Sequence, residues 1–154
     1  MLTAYLSHPF TGNEKINRKK ARKTAMDIVM VAKTHNSSIA VLNPCDCIRY
    51  AEDANMTYAE CIDICLKLIS GCDVILLATG WENSRGCILE TAYALTNNIK
   101  VCLLPETITP ETLKPNIDIQ NHKQSFTTKV KQLIKEKELN KIPLKSKFLI
   151  PFLV

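Results

Sequence analysis

The sequence predicts an α/β fold built on a mostly parallel sheet of four or five strands. Two observations carry that expectation. Short apolar runs alternate with longer stretches of helical spacing, joined by short polar connections, which is the pattern of βα units. The run DVILLAT at 73–79 is apolar at both alternating positions, as a central parallel strand covered by helices on each side requires. At 154 residues the chain has the length of about one domain, with one core of ordinary size. A single domain over 1–140 followed by an apolar tail at 141–154 is expected.

The elements follow in order. LTAYLS at 2–7 is a short strand, and 12–35 is a helix with Ile16, Ala21, Ala25, Ile28 and Val31 on one side and basic residues on the other. SIAVL at 38–42 is a second strand, which Asn43-Pro44 stops because proline has no amide hydrogen for the ladder. A loop is expected through Ala54. TYAE at 57–60 has the form of a capping box and opens a helix that turns Cys61, Ile62, Cys65, Leu66 and Ile69 to the core, with Gly71 placed to end it. After the strand at 73–79 come a polar loop at 80–85, a helix at 86–98 and a buried strand at 99–105. Beyond Pro105 a helical turn in TITPETLKP, a short edge strand at 116–121 and a lysine-rich amphipathic helix at 124–140 are expected.

Apolar residues are 46% and charged residues 23% of the chain, the balance of a soluble globular protein. No basic segment precedes an apolar leader and no run approaches a membrane span of about 20 residues, so a cytoplasmic location without membrane contact is expected. The seven cysteines are odd in number and contain no CxxC pair, which predicts reduced, mostly buried thiols. The net charge of +5 comes from residues 123–154, where eight lysines face only Glu136 and Glu138. No aromatic is interleaved with those lysines before Phe148, so a solvated helix face is expected and a nucleic-acid surface is not.

In open α/β sheets ligands bind beyond the carboxyl ends of the strands, here in SHPFTGN, NPCDCIRY, GWENSRG and PETITP. One carboxylate, Glu90, stands among the apolar residues of the helix that starts near Ser84 to Gly86. Side chains lean toward a helix N-terminus, so Glu90 is aimed at the strand ends. It is readable either as a functional buried acid or as a Glu that accepts bonds from the first-turn amides of its own helix. Ser84 is readable as an anion ligand or as a plain N-cap, and Gly86 permits close backbone approach. Trp81 either stacks on a flat ligand ring or roofs the core. Neither GxGxxG nor GxxxxGK[ST] is present, which disfavours dinucleotide and P-loop chemistry. The histidines have no ligand spacing, Cys45-x-Cys47 alone is weak, and no metal or other cofactor is expected. Cys87 near a helix start lacks a histidine partner for thiol catalysis.

Three stretches together resemble the nucleoside 2-deoxyribosyltransferase superfamily, and in particular its small branch with a CDxIxLLPGWExSxGAxxE signature, the DUF4406 proteins. They are YLSHPFTGN at 5–13, Asn43-Pro44 at the end of the second strand, and CDVILLATGWENSRGCILETAYA at 72–94. The resemblance covers roughly residues 1–104. It implies a flavodoxin-like (Rossmann-like) three-layer sandwich, usually oligomeric, that cleaves or transfers at the N-glycosidic bond of a nucleoside or nucleoside 5′-monophosphate without a metal. Glu90 then falls on the nucleophile, Tyr5 on the residue that orients it, and Ser84 on the serine that contacts the 5′-phosphate in the related 2′-deoxynucleoside 5′-phosphate N-hydrolases. His8, Pro9, Gly12, Asn43, Gly86 and Trp81 fall in the loops around the substrate.

The chain departs from that pattern at two points. His8 stands where a glycine is common. Cys65 occupies the position of an aspartate that contacts the sugar or protonates the leaving base. The nearest carboxylate, Asp63, lies two residues earlier and about 200° round the helix axis; it is the remaining candidate for that role. A non-catalytic nucleotide-binding or sensing protein of the same fold is the competing expectation. The tail FLIPFLV at 148–154 either packs on a neighbouring subunit of a homo-oligomer or covers its own core.

Overall fold

The computed structural model describes residues 1–112 and 123–146. Four strands run parallel in one sheet: β1 (Leu2–Ser7), β2 (Ile39–Leu42), β3 (Val74–Leu77) and β4 (Lys100–Leu103), in the order β2-β1-β3-β4. Tyr5 pairs with Leu42 on one side and Ile75 on the other, while Ser7 at the end of β1 pairs with Leu77 of β3 alone. Strand order reverses beside β1, which makes its carboxyl end the switch point where open α/β sheets place ligands. The expected edge strand at 116–121 lies outside the described residues.

Period-2 alternation divides the sheet into two faces. Ala4, Leu6, Val74 and Leu76 pack with Ile28 of α1 (Glu14–Thr34) on one side. Tyr5, Ile75, Leu77 and Val101 face the other, where α4 (Tyr58–Ile69), α5 (Arg85–Thr96) and α6 (Lys123–Glu136) cover them. Helices on both faces of a parallel sheet give the flavodoxin-like three-layer sandwich. α1 begins at Asn13, whose side chain accepts from the Ile16 amide. α4 begins with the expected capping box: the Glu60 amide donates to Thr57 Oγ1 and the Thr57 amide to Glu60 Oε2.

Some local expectations are corrected. The segment after β2 is not a loop: it forms two short helices, α2 (Pro44–Cys47) and α3 (Arg49–Asp53). Asn43 stops the strand and at once caps α2, accepting from the Cys45 amide, and Pro44 sits at the first helical position, where its missing hydrogen costs nothing. α4 closes on Ser70 in a right-handed conformation, and Gly71 follows without the left-handed turn that a glycine stop uses. The polar connection at 80–85 contains a 3₁₀ turn, Trp81–Asn83, entered through Gly80 at φ +84°. The described part of the segment after Pro105 holds a turn tied by the Thr109 and Thr112 hydroxyls. Among the described residues no helix is long and apolar enough to cross a membrane.

Candidate active site

Ser84 ends the 3₁₀ turn and caps α5, its hydroxyl accepting from the Cys87 amide at 3.4 Å. The second turn of the helix then places Glu90 against the carboxyl end of β1, where it is 5% exposed. Among the residues whose burial is described, it is the one buried carboxylate. Tyr5 OH donates to its Oε1 at 2.6 Å and Ser7 Oγ donates to its Oε2 at 2.5 Å. Both donors come from the same face of one strand, so both carboxylate oxygens are held by groups that β1 fixes rigidly. Its hydrogen-bond donors therefore come from β1 and α4 and not from the first turn of its own helix.

Burial raises the Glu90 pKa above the ordinary carboxylate range, opposed by hydrogen bonds from Ser7, Tyr5 and the Cys65 thiol. Burial and the nearby Glu90 charge together push Tyr5 far up, so its phenol stays a donor. The same two causes raise Cys45 and Cys87 to about 12 and Cys65 further still, which leaves these thiols neutral. Cys87 is thus a buried, protonated thiol rather than a nucleophile. Among the described residues no group of His, Cys, Asp or Glu has the arrangement of a metal site.

Glu90 opens on a cavity of about 250 Å³ bounded by the loop after β1 and by α2, α4 and α5. Its wall includes His8, Tyr58, Cys65, Ser84, Gly86 and Cys87. A methyl group added at Gly86 would stand 3.4 Å from Ile62 Cδ1 and 3.5 Å from Tyr58 OH, in ordinary contact, so this glycine keeps the mouth wide rather than relieving strain. Arg85 lies over the Tyr58 ring, 5.7 Å from its centre, beside the N-terminus of α5. A second cavity, about 580 Å³, lies across His8 between α1 and the ends of β3 and β4, with Pro9, Lys20 and Thr79 in its wall.

The chain matches the family described as Domain of unknown function (DUF4406) over residues 2–103. It belongs to this family. No curated protein and no solved structure matches the chain. The family segment runs from β1 through β4 and so contains Tyr5, Ser7, Ser84 and Glu90, whereas α6 lies beyond it.

Within this segment the other candidates are distributed unevenly. His8, Ser84 and Gly86 share the Glu90 cavity, and Pro9 lines the second one. Gly12 is at φ +100° in the turn before α1, its amide toward Glu14, and lines neither cavity. Asn43 is spent on the α2 cap and on a 3.1 Å bond to Asp46. Trp81 is 3% exposed and packs on Phe126, ring centres 5.3 Å apart, with Lys129 over its face; it roofs the core and lines neither cavity. Asp63 accepts from the Lys145 and Ser146 amides and from Ser146 Oγ. It faces the segment after α6, and the structure does not bring it to Glu90, as the rotation around α4 requires. Asp73 holds the Thr3 amide at 2.7 Å, a structural bond between strands.

Ser7 is the residue that sequence reasoning missed. It lies inside an apolar strand, yet alternation from Tyr5 puts it on the same face, toward the helix that carries Glu90. Tyr58 was hidden similarly, as the first residue of a helix otherwise noted for its cap.

Proposed function

We propose that this protein cleaves or transfers at the N-glycosidic bond of a nucleoside or nucleoside 5′-monophosphate, with Glu90 as the nucleophile. The observation that carries the reading is the buried Glu90 carboxylate, held by Tyr5 OH and Ser7 Oγ at the edge of a cavity. A fixed, dry carboxylate suits attack on an oxocarbenium-like carbon, because its charge is not spread into water and its direction is set. The resemblance of residues 5–13 and 72–94 to the nucleoside 2-deoxyribosyltransferase superfamily supports the same assignment. In that chemistry Glu90 bonds to the anomeric carbon as the base leaves, and a second base or water then resolves the glycosyl-enzyme. Ser84 and the free amides at the start of α5 suit a 5′-phosphate. The acting form is a homo-oligomer, as among the relatives that the resemblance suggests.

A second reading has its own support. Cys65 is a neutral thiol in the place of the family aspartate, and Asp63 is engaged elsewhere. A chain that binds the nucleotide and does not turn it over would have the same pocket.

The two separate on incubation with a panel of ribo- and deoxynucleosides and their 5′-monophosphates, followed by chromatography for free base. The enzyme reading expects base from at least one of them. Tight binding with no base released by any member would replace it with the sensor.

A further inference from the structure

Departure of a nucleobase needs a proton as well as a nucleophile, and this inference rests on the glycosidic reading above. Neither the groups that bond Glu90 nor the more distant Asp63 supplies one. Cys65 and Tyr5 hold their protons far above neutrality, and Asp63 is turned to Ser146. Among the described residues, His8 is the one imidazole in the wall of the Glu90 cavity. Its Nδ1 lies 2.8 Å from the Pro9 carbonyl oxygen. A carbonyl oxygen only accepts, so Nδ1 carries the hydrogen and Nε2 is the atom left to exchange a proton.

We propose that His8 Nε2 is the proton-transfer group of the glycosidic reaction, standing in for the aspartate that Cys65 replaces. In the first half-reaction protonated His8 gives its Nε2 hydrogen to a ring nitrogen of the base. The C1′–N bond breaks, its electron pair stays with the base, and a Glu90 oxygen bonds to C1′. In the second half-reaction neutral His8 takes a proton from water, or from the N–H of an incoming base, as that atom bonds to C1′. The C1′–O bond to Glu90 breaks as this new bond forms, its electron pair returning to the carboxylate, leaving both groups as they began.

The surroundings set the pH response. Glu14 and Glu90 share the near cavity with His8, while Lys20, Lys23, Asp27 and Glu106 line the far one. Lys23 is paired with Asp27 at 2.6 Å. Burial first, and the Lys20 charge after it, lower the His8 pKa below 6.5, against the pull of the Pro9 carbonyl. The reaction needs His8 protonated and Glu90 ionised, and their pKa values are displaced toward each other. The profile of kcat/KM is therefore a bell narrowed from both sides, with apparent values that belong to the pair.

The test compares two leaving groups: the base of a purine deoxynucleoside 5′-monophosphate, which needs a proton, and 4-nitrophenolate from 4-nitrophenyl 2-deoxyriboside 5′-phosphate, which does not. His8→Gln is expected to slow base release about 10²- to 10⁴-fold, to leave the first-turnover burst of 4-nitrophenolate unchanged, and to remove the basic limb of the bell. Equal loss of base release and of the first-turnover 4-nitrophenolate burst would reduce His8 to a positioning or binding residue, and undiminished base release would remove it from the reaction. Glu90→Gln, run beside it, silences both substrates if Glu90 is the nucleophile. Full activity there, or no cleavage by the wild type, overturns the parent reading and the proton step with it. Nitrogen NMR of the wild-type imidazole needs no turnover: neutral His8 is expected as the Nδ1–H tautomer, and an Nε2–H tautomer would overturn the proposal.

Discussion

Replacing Tyr5 by Phe removes a single oxygen from a fully buried site and leaves the ring that fills it. What is lost is the 2.6 Å bond to Glu90 Oε1. A hydrogen bond to a charged group is worth about 1.5–3 kcal/mol, and only the ionised carboxylate gains it in full. Burial already raises the Glu90 pKa, with Tyr5 among the groups that oppose the rise. The substitution therefore moves that pKa further up. A nucleophile must be ionised, so the acid limb of kcat/KM moves to higher pH. On that limb the loss is roughly 10- to 150-fold, the same 1.5–3 kcal/mol expressed as a rate, and it narrows above the limb. Base release measured across a pH series reads both features. A loss of equal size at every pH, with the limb where it was, would refute the claim that Tyr5 acts by keeping Glu90 ionised.

The remaining expectations concern pH and stability. Because the folded pKa of Glu90 is raised, its contribution to stability is fully present below the unfolded value near 4.5 and is lost as pH rises through the folded value. Glu90→Gln should therefore match the wild type in urea unfolding at low pH and exceed it at neutral pH; a variant less stable at neutral pH contradicts the sign. Trp81→Ala should cost about 3–5 kcal/mol in the same assay, since it empties a site closed by Phe126, and a loss below about 1 kcal/mol would mean the indole is not core. Thr57→Ala should cost about 1 kcal/mol by opening the α4 cap, without moving the acid limb of activity.

Much of the fold was legible because it depends on local pattern. The apolar runs of β1 and β3, the capping box of α4 and the spacing of α1 each announce their element without reference to the rest. The buried position of Glu90 was legible because it is the one charge among the apolar residues from Gly86 to Ile99. What escaped depends on tertiary contact or on double use of a residue. Asp63 is satisfied by amides 82 and 83 positions away, and Trp81 by a ring on α6, neither of which local spacing can reveal. Asn43-Pro44 was read as a stop when the same pair also starts α2. Ser7 was overlooked because a hydroxyl in a buried strand passes for a neutral filler until its partner is known. Its oxygen is within 2.5 Å of Glu90, so strand alternation from Tyr5 was the signal available.

The central claim is that Glu90 forms a covalent bond to the sugar. Turnover of the substrate found in the nucleotide panel, quenched in acid within the first cycles and digested, places that bond by mass spectrometry. The account predicts a peptide containing Glu90 heavier by one glycosyl or glycosyl-phosphate residue, present in the wild type and absent from Glu90→Gln, which also releases base at least about 10³-fold more slowly. Base release that persists in Glu90→Gln, with no adduct on the wild-type peptide, would contradict it.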